Sequence, residues 1–432
     1  MKRVYLTPFN FKAIVLNYEL KSKGIMVSGF LDANSYLWNK SYDSIGIFQR
    51  CYLPEATIIV CAERSETNFI IAKELKELGY CDENIQIDQE RNIRDYNTNI
   101  DIDQMLNIFP KSNYYLMGMI EDFMKLNKMH QYGIKTNDIS YEELFGLNRK
   151  EVFEDKIFLN KLEVIVTNKC SLKCKKCAAG MQYFENPTEF EVEQIIKDYR
   201  RTLEIIDWVD RIIIIGGEPF LCKDLDQLLE EMHNDPNTKK KVGAIKIITN
   251  GTIIPSQKIL QAISKYNIIV WISNYREKSR NLCDLIEALR MNKINYSILN
   301  VNTWSDVIQL NKEKVIQSEK CLLGRRKQDC VTRCRTIAGG RFYLCSLLKS
   351  MDYLGITPFT LSDYVDLYDD NAREKICQML NMNNPLPNAC SFCSGCSEKM
   401  WNEGNIKSAE QTRMPLPYLK DRSGYSVELD KA

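Results

Sequence analysis

Two periods of apolar and polar residues take turns along this chain. Apolar runs at Arg3 to Thr7, Ile25 to Leu31 and Thr57 to Cys61 predict strands. Helical-period patterns over Phe11 to Lys23 and through Phe69, Ile70, Leu75 and Leu78 predict helices between and after them. This alternation predicts a small parallel α/β sheet over residues 1–100. Residues 101–155 mix helical and polar character without a repeat and read as a helical connector. From Leu162 the alternation resumes with stronger strands, at Leu162 to Val166, Arg211 to Ile215, Ala244 to Ile248, Ile268 to Ile272 and Tyr296 to Leu299. Helices between them are marked by Val192, Ile195, Ile196, Tyr199 and Leu203, then Leu225, Leu228, Leu229 and Met232, and finally Leu282, Leu285, Ile286 and Leu289. Thr188 and Glu191 have capping-box spacing, which predicts Thr188 as the N-cap of the first. Successive β-α units over 156–318 predict a parallel barrel or partial barrel, with its active site at the C-terminal strand ends. From Cys321 the pattern breaks, and residues 319–432 form a smaller cysteine-rich block with a tail.

Composition changes this picture at a few points. A length of 432 residues exceeds one compact core, in keeping with several domains. Lys+Arg 58 against Asp+Glu 57 leaves +1, so no global field favours nucleic acid or an anionic membrane. Runs such as Ile212 to Ile215 are far too short for a spanning helix, and MKRVYLTPFNFK has no continuous apolar core or cleavage site. A cytoplasmic protein is expected. There are 16 Cys and 2 His. Reduced thiols in such numbers read as metal ligands before disulfides, whereas His130 and His233 alone leave little room for histidine-rich sites or a Ser-His-Asp triad.

In the first block, Asp32 ends the second strand, where a dinucleotide-binding fold places a ribose-binding acid. The loop after the first strand, Thr7-Pro8-Phe9-Asn10-Phe11, lacks the Gly-x-Gly that lets a pyrophosphate approach. The block resembles Rossmann-type domains attached to some bacterial glycan-biosynthesis enzymes, with the nucleotide loop lost. A docking or structural role is expected.

Directly after the first barrel strand comes Cys170-Ser171-Leu172-Lys173-Cys174-Lys175-Lys176-Cys177. The C-x3-C-x2-C spacing lets three thiolates face one cubane and leaves its fourth iron open. Zinc, which takes four ligands, fits poorly, and no fourth Cys follows nearby. These residues resemble the radical S-adenosylmethionine (SAM) enzymes, in which SAM chelates the open iron and is cleaved to methionine and a 5′-deoxyadenosyl radical. Further motifs carry the resemblance over roughly Leu162 to Val301. The second strand ends in Gly216-Gly217-Glu218-Pro219, like the family's GGEP. Its glycines permit close backbone approach, and Glu218 is an acceptor for the SAM ammonium. The third strand ends in Thr249-Asn250-Gly251, similar to the family's ribose-contacting segment, and the fourth in Ile272-Ser273-Asn274. The resemblance implies a SAM pocket of Gly216, Gly217, Glu218, Thr249, Asn250 and Ser273. The chain departs from the family at Lys176, where an aromatic residue usually packs near the adenine; a lysine stem can still cover the ring.

The last block holds Cys321, Cys330, Cys334, Cys345, Cys377, Cys390, Cys393 and Cys396. Gly340 precedes Cys345 by a G-x4-C step, and Cys390-Ser391-Phe392-Cys393 is a C-x2-C. This resembles the SPASM or Twitch extension of radical SAM enzymes and implies an auxiliary iron–sulfur cluster on Cys334, Cys345, Cys390 and Cys393, with Cys330 and Cys396 in reserve. A structural zinc on the same thiolates is the competing reading. Cys51, Cys61, Cys81, Cys222, Cys283 and Cys377 lack partner spacing and read as small buried hydrophobes. Lys239 to Lys241 read as solvated, and Arg325 to Lys327 as a solvated loop or an anion site. Tyr275 and Trp304 follow strand ends, as pocket lining or as packing. The resemblance thus implies hydrogen abstraction from a substrate C–H bond. The expected substrate is a sugar-derived or natural-product small molecule of bacterial glycan metabolism, or alternatively a ribosomally made peptide. A low-potential donor such as flavodoxin or ferredoxin is the expected partner, and no catalytic acid or base is identified. From another class, a non-catalytic iron–sulfur or zinc scaffold is the alternative.

Overall fold

The computed structural model describes residues 3–62, 65–88, 114–136, 139, 141–144, 149–307, 310, 317–328, 330, 334–356, 363–394, 406–413 and 415–418. Cys396 and part of the 101–155 connector lie outside these residues. The chain divides into two compact units, Met1–Tyr141 and Glu142–Ala432.

The first unit has strands β1 (Arg3–Thr7), β2 (Val27–Asp32), β3 (Lys40–Tyr42), β4 (Ile45–Gln49), β5 (Ala56–Val60) and β6 (Ile85–Ile87) in the order β3-β4-β2-β1-β5-β6. All neighbours are parallel except β3 and β4. Helix α1 (Phe11–Ser22) starts where the Asn10 side chain accepts from the Ala13 N–H, at 2.8 Å. Asp32 faces back into the fold, accepting from the Phe9 N–H (2.9 Å) and the Asn34 N–H (2.8 Å). It thereby closes the turn that a nucleotide-binding loop would hold open. Helix α2 (Ser65–Glu77) buries Ile71, Ala72 and Leu75, while Phe69, Ile70 and Leu78 are exposed. The buried stripe is therefore offset from the one expected, because the helix docks through its 68–71–72–75 face. Helix α3 (Tyr114–Gln131) belongs to the expected connector.

In the second unit, β7 (Val152–Phe153) pairs with the long β8 (Lys156–Ile165). Then follow β9 (Trp208–Ile215), β10 (Val242–Thr249), β11 (Ile269–Asn274) and β12 (Tyr296–Asn300), all parallel. A short β13 (Thr303–Trp304) comes next and stands outside this sheet. The last block adds to the sheet: β14 (Arg335–Ala338) runs parallel beside β8 and is followed by antiparallel β15 (Arg341–Tyr343) and β16 (Val365–Asp366). Near the end of the chain, β17 (Ile406–Lys407) pairs back with β13. This is a partial TIM-type α/β fold, with sheet order β12-β11-β10-β9-β8-β14-β15-β16.

Helices α4 (Val192–Ile205), α5 (Leu225–Asn234), α6 (Gln257–Lys265) and α7 (Leu282–Met291) cover one face. Leu162, Val164, Ile212, Ile214, Ile247 and Val270 pack there against Tyr199, Leu203, Leu228 and Leu285. Helix α4 starts at Val192 with Glu191 as its cap residue, so Thr188 is not the N-cap. Glu189 bridges to Thr167, and the Thr188 carbonyl accepts from the Asn168 N–H, which keeps this stretch extended. Of the three lysines expected in solvent, Lys241 donates to the Leu203 and Ile206 carbonyls (2.6 and 2.8 Å), satisfying the end of α4. Glu151 and Arg335 form a buried pair that ties β14 to the entrance of β8.

Candidate functional site

The loop after β8 carries Cys170, Cys174 and Cys177, and β9 and β10 end beside it. The N–H groups of Gly217 and Glu218 donate to the Thr167 and Lys169 carbonyls, each at 2.8 Å. A Cβ at Gly216 would collide with the Thr167 carbonyl oxygen, and only glycine allows that approach.

Glu218 is fully buried and caps the Pro219–Leu221 turn. Its carboxyl accepts from Phe220 N (3.2 Å), Thr249 Oγ1 (2.8 Å) and Asn250 N (2.9 Å), fastening the Gly-Gly-Glu turn to the end of β10. Burial pushes its pKa up to about 7, against the opposing pull of these donors. A carboxylate has about four acceptor sites, and three of them are met here. Asn250 donates to Ser171 Oγ (3.2 Å) and approaches Cys170 Sγ (3.7 Å), and Ser279 donates to the Asn250 carbonyl (2.7 Å). Ser273, at the end of β11, is hydrogen-bonded to the Tyr275 side chain, which places it at the wall of the loop.

The three thiols pack with Leu172, Ala409, Tyr275 and Trp304. Tyr275 and Trp304 meet edge to face at 5.4 Å, so both wall this loop. Burial, with the neighbouring thiols adding to it, pushes Cys170 and Cys174 up to about 12, and burial also raises Cys177. Three thiolates here need a cationic centre, and this soft donor set fits an iron–sulfur cluster. The Lys176 ammonium turns to Asp306 (2.7 Å).

Sequence reasoning missed the cover of this loop. Gln411 donates to Cys174 Sγ (3.2 Å) and accepts from the Lys173 N–H (2.8 Å), and Thr412 N donates to the Lys173 carbonyl (2.7 Å). No local signal marks this polar segment, which lies 237 residues from Cys174.

A second thiol group forms in the last block. Cys345, Cys390 and Cys393 interact with one another and with Cys330. Cys334 turns elsewhere: its Sγ accepts from Lys161 Nζ (3.3 Å), and it bonds the buried Glu163. The structure thus links three of the four expected ligands with Cys330, while Cys334 meets Lys161 and Glu163. Burial raises Cys345 and Cys390 and pushes Cys334 up to about 11. Arg325 donates to the Cys390 and Cys393 carbonyls (both 2.8 Å), and Arg326 to the Met379 and Pro385 carbonyls, so backbone acceptors hold both guanidiniums, while Lys327 is exposed. Among the other cysteines, Cys61 and Cys222 are buried as expected, Cys377 is half-buried, and Cys51, Cys81 and Cys283 are exposed. Among the described residues, no three His, Cys, Asp or Glu side chains are grouped as a single metal ion requires, and no helix is long and apolar enough to cross a membrane.

Residues 164–274 match the Radical SAM superfamily. The chain is 28% identical over 98 residues to a GTP 3',8-cyclase of Helicobacter pylori (strain HPAG1), covering 22% of this chain and 29% of that protein. It is 30% identical over 95 residues to a GTP 3',8-cyclase of Stenotrophomonas maltophilia (strain R551-3), covering 22% and 27%. The chain therefore spans less than a third of the length of these relatives. Among solved structures, it is similar to BtrN in complex with AdoMet and 2-DOIA, at 15% identity and a TM-score of 0.35 over 60% of this chain and 100% of that one. It is also similar to native anSMEcpe with bound AdoMet, at 20% identity and a TM-score of 0.29 over 34% and 44%.

Proposed function

Because residues 164–274 match the Radical SAM superfamily, we propose that Cys170, Cys174 and Cys177 hold a 4Fe–4S cluster and that SAM binds beside it against Gly216, Gly217, Glu218, Thr249, Asn250 and Ser273. The observation that carries this reading is the fastening of the cysteine loop to the Gly-Gly-Glu turn and of Glu218 to Thr249 and Asn250. Bound there, the cluster and SAM supply a 5′-deoxyadenosyl radical for hydrogen abstraction from a substrate C–H bond. The chain's own residues position and enclose. Glu218 keeps one acceptor site for the SAM ammonium, Asn250 orients the start of the loop, and Tyr275 and Trp304 keep water from the thiols. We further assign an auxiliary iron–sulfur cluster to Cys330, Cys345, Cys390 and Cys393, for oxidation or substrate binding.

The substrate we favour is a polar, sugar-derived or natural-product small molecule. Support comes from the sheet face opposite the helices, where Lys161, Glu163, Arg211, Lys246 and Trp271 alternate with the apolar residues under the helices. A ribosomally made peptide is the second reading. The chemistry calls for a low-potential one-electron donor of the flavodoxin or ferredoxin kind and for a reducing compartment such as the cytoplasm. Anaerobic reconstitution followed by a SAM-cleavage assay tests the proposal: 5′-deoxyadenosine should form with dithionite, and replacing all three loop cysteines with Ala should abolish it. Undiminished product from that variant would sink the cysteine assignment, and no product from the reconstituted parent would favour a scaffold.

A further inference from the structure

Helix α8 (Ser346–Tyr353) joins the two thiol groups. Cys345 is its cap residue, and one turn later the helix meets the first cysteine loop on both sides. Lys349 Nζ donates to Asn168 Oδ1 at 2.7 Å, just before Cys170, and Ser350 Oγ donates to the Ala179 carbonyl at 2.6 Å, just after Cys177.

Lys349 is 1% exposed, and its ammonium lies 5.7 Å from the ring centres of Phe184 and Tyr353. An ammonium carries three donors, and among the described residues this one makes a single hydrogen bond and no ion pair. A buried charge so weakly matched is costly unless an anion faces it. Burial pulls its pKa down to about 7, and the groups that hold its proton against that pull are Cys177 and Glu163. Glu163 is already engaged by Thr336 Oγ1 (3.0 Å) and by Lys161. The Lys349 partner Asn168 stands two residues before Cys170, and Ala179, the partner of Ser350, two residues after Cys177, so the ammonium lies against the loop that carries the thiols.

Resting on the radical SAM reading, we propose that Lys349 is a positioning residue whose positive charge faces the cluster on Cys170, Cys174 and Cys177 and eases its one-electron reduction. Reduction adds a negative charge in a buried site, and a nearby cation stabilises the reduced state more than the oxidised one.

The test is an EPR-monitored redox titration of the full chain after anaerobic reconstitution, with the relevant signal identified by its change on adding SAM. Lys349→Met and Lys349→Gln should bind as much iron as the parent. At a donor poise fixed for the parent, their ratio of reduced to oxidised cluster should fall about tenfold, equivalent to ~59 mV for one electron. Lys349→Arg should restore the parent ratio. Gln keeps a donor for Asn168, so a shift in both neutral variants assigns the effect to charge. Loss of the cluster from both neutral variants, with Arg retaining it, would support the same requirement. An unmoved potential at parent iron content overturns the inference and leaves the radical SAM reading standing. A parent chain with no SAM-responsive cluster overturns both.

Discussion

A Cβ placed on Gly217 would press into the Lys169 carbonyl oxygen and lie 2.8 Å from Cys170 Cβ. The end of β9 and the start of the cysteine loop are therefore in backbone contact. Gly217→Ala must push that loop away, at a cost of about 1–3 kcal/mol. Iron content after reconstitution should fall while the far-UV circular dichroism stays near the parent's. Full iron content and SAM binding in this variant would show that the contact does not position the thiols.

Glu218 links stability to pH. Its folded pKa of about 7 lies above the ordinary 4.5, so the folded chain holds this proton more tightly than the unfolded chain. The contribution is fully present below pH 4.5 and is lost as pH rises through 7. At about 1.36 kcal/mol per pKa unit, the span is ~3 kcal/mol at most. Denaturant melts without iron or SAM should show this decline in the parent and a flatter profile in Glu218→Gln. Identical profiles would mean that Glu218 titrates normally.

In the proposed pocket the same carboxyl accepts from the SAM ammonium. Losing one charged hydrogen-bond partner costs about 1.5–3 kcal/mol, so Glu218→Ala should weaken SAM binding roughly tenfold to a hundredfold. Equilibrium dialysis with SAM reads this directly, and an unchanged affinity would remove Glu218 from the pocket.

The second thiol group can be counted by subtraction. A chain lacking the three loop cysteines should still bind about four irons, the content of one cubane. In that background, Cys330→Ala should remove most of this iron and Cys334→Ala should spare it. The reverse result would return Cys334 to the ligand set, and zinc in place of iron would favour a structural site.

Much of this could be read from the sequence because the barrel strands carry strong apolar stretches, such as Ile212 to Ile215, and the motifs follow their ends. What stayed hidden depends on direction and distance. Spacing alone cannot separate Cys330 from Cys334. Their difference arises because Cys334 enters β14 beside β8, where its side chain meets Lys161. Lys349 looks like any helix-surface lysine until Asn168 and Phe184 are placed around it. Helix α4 starts later than Thr188 suggests because a tertiary bridge at Glu189 overrides the local capping signal.

The segment closing over Cys174 also sets an order of events during synthesis. Residues 170–177 leave the ribosome long before Gln411 exists, since 237 residues separate Cys174 from it. During that interval Cys174 stands without its hydrogen-bond partner. Once Gln411 and Thr412 dock on Lys173, Cys174 gains its polar cover, so the loop reaches its final contacts only after residue 412 has been made.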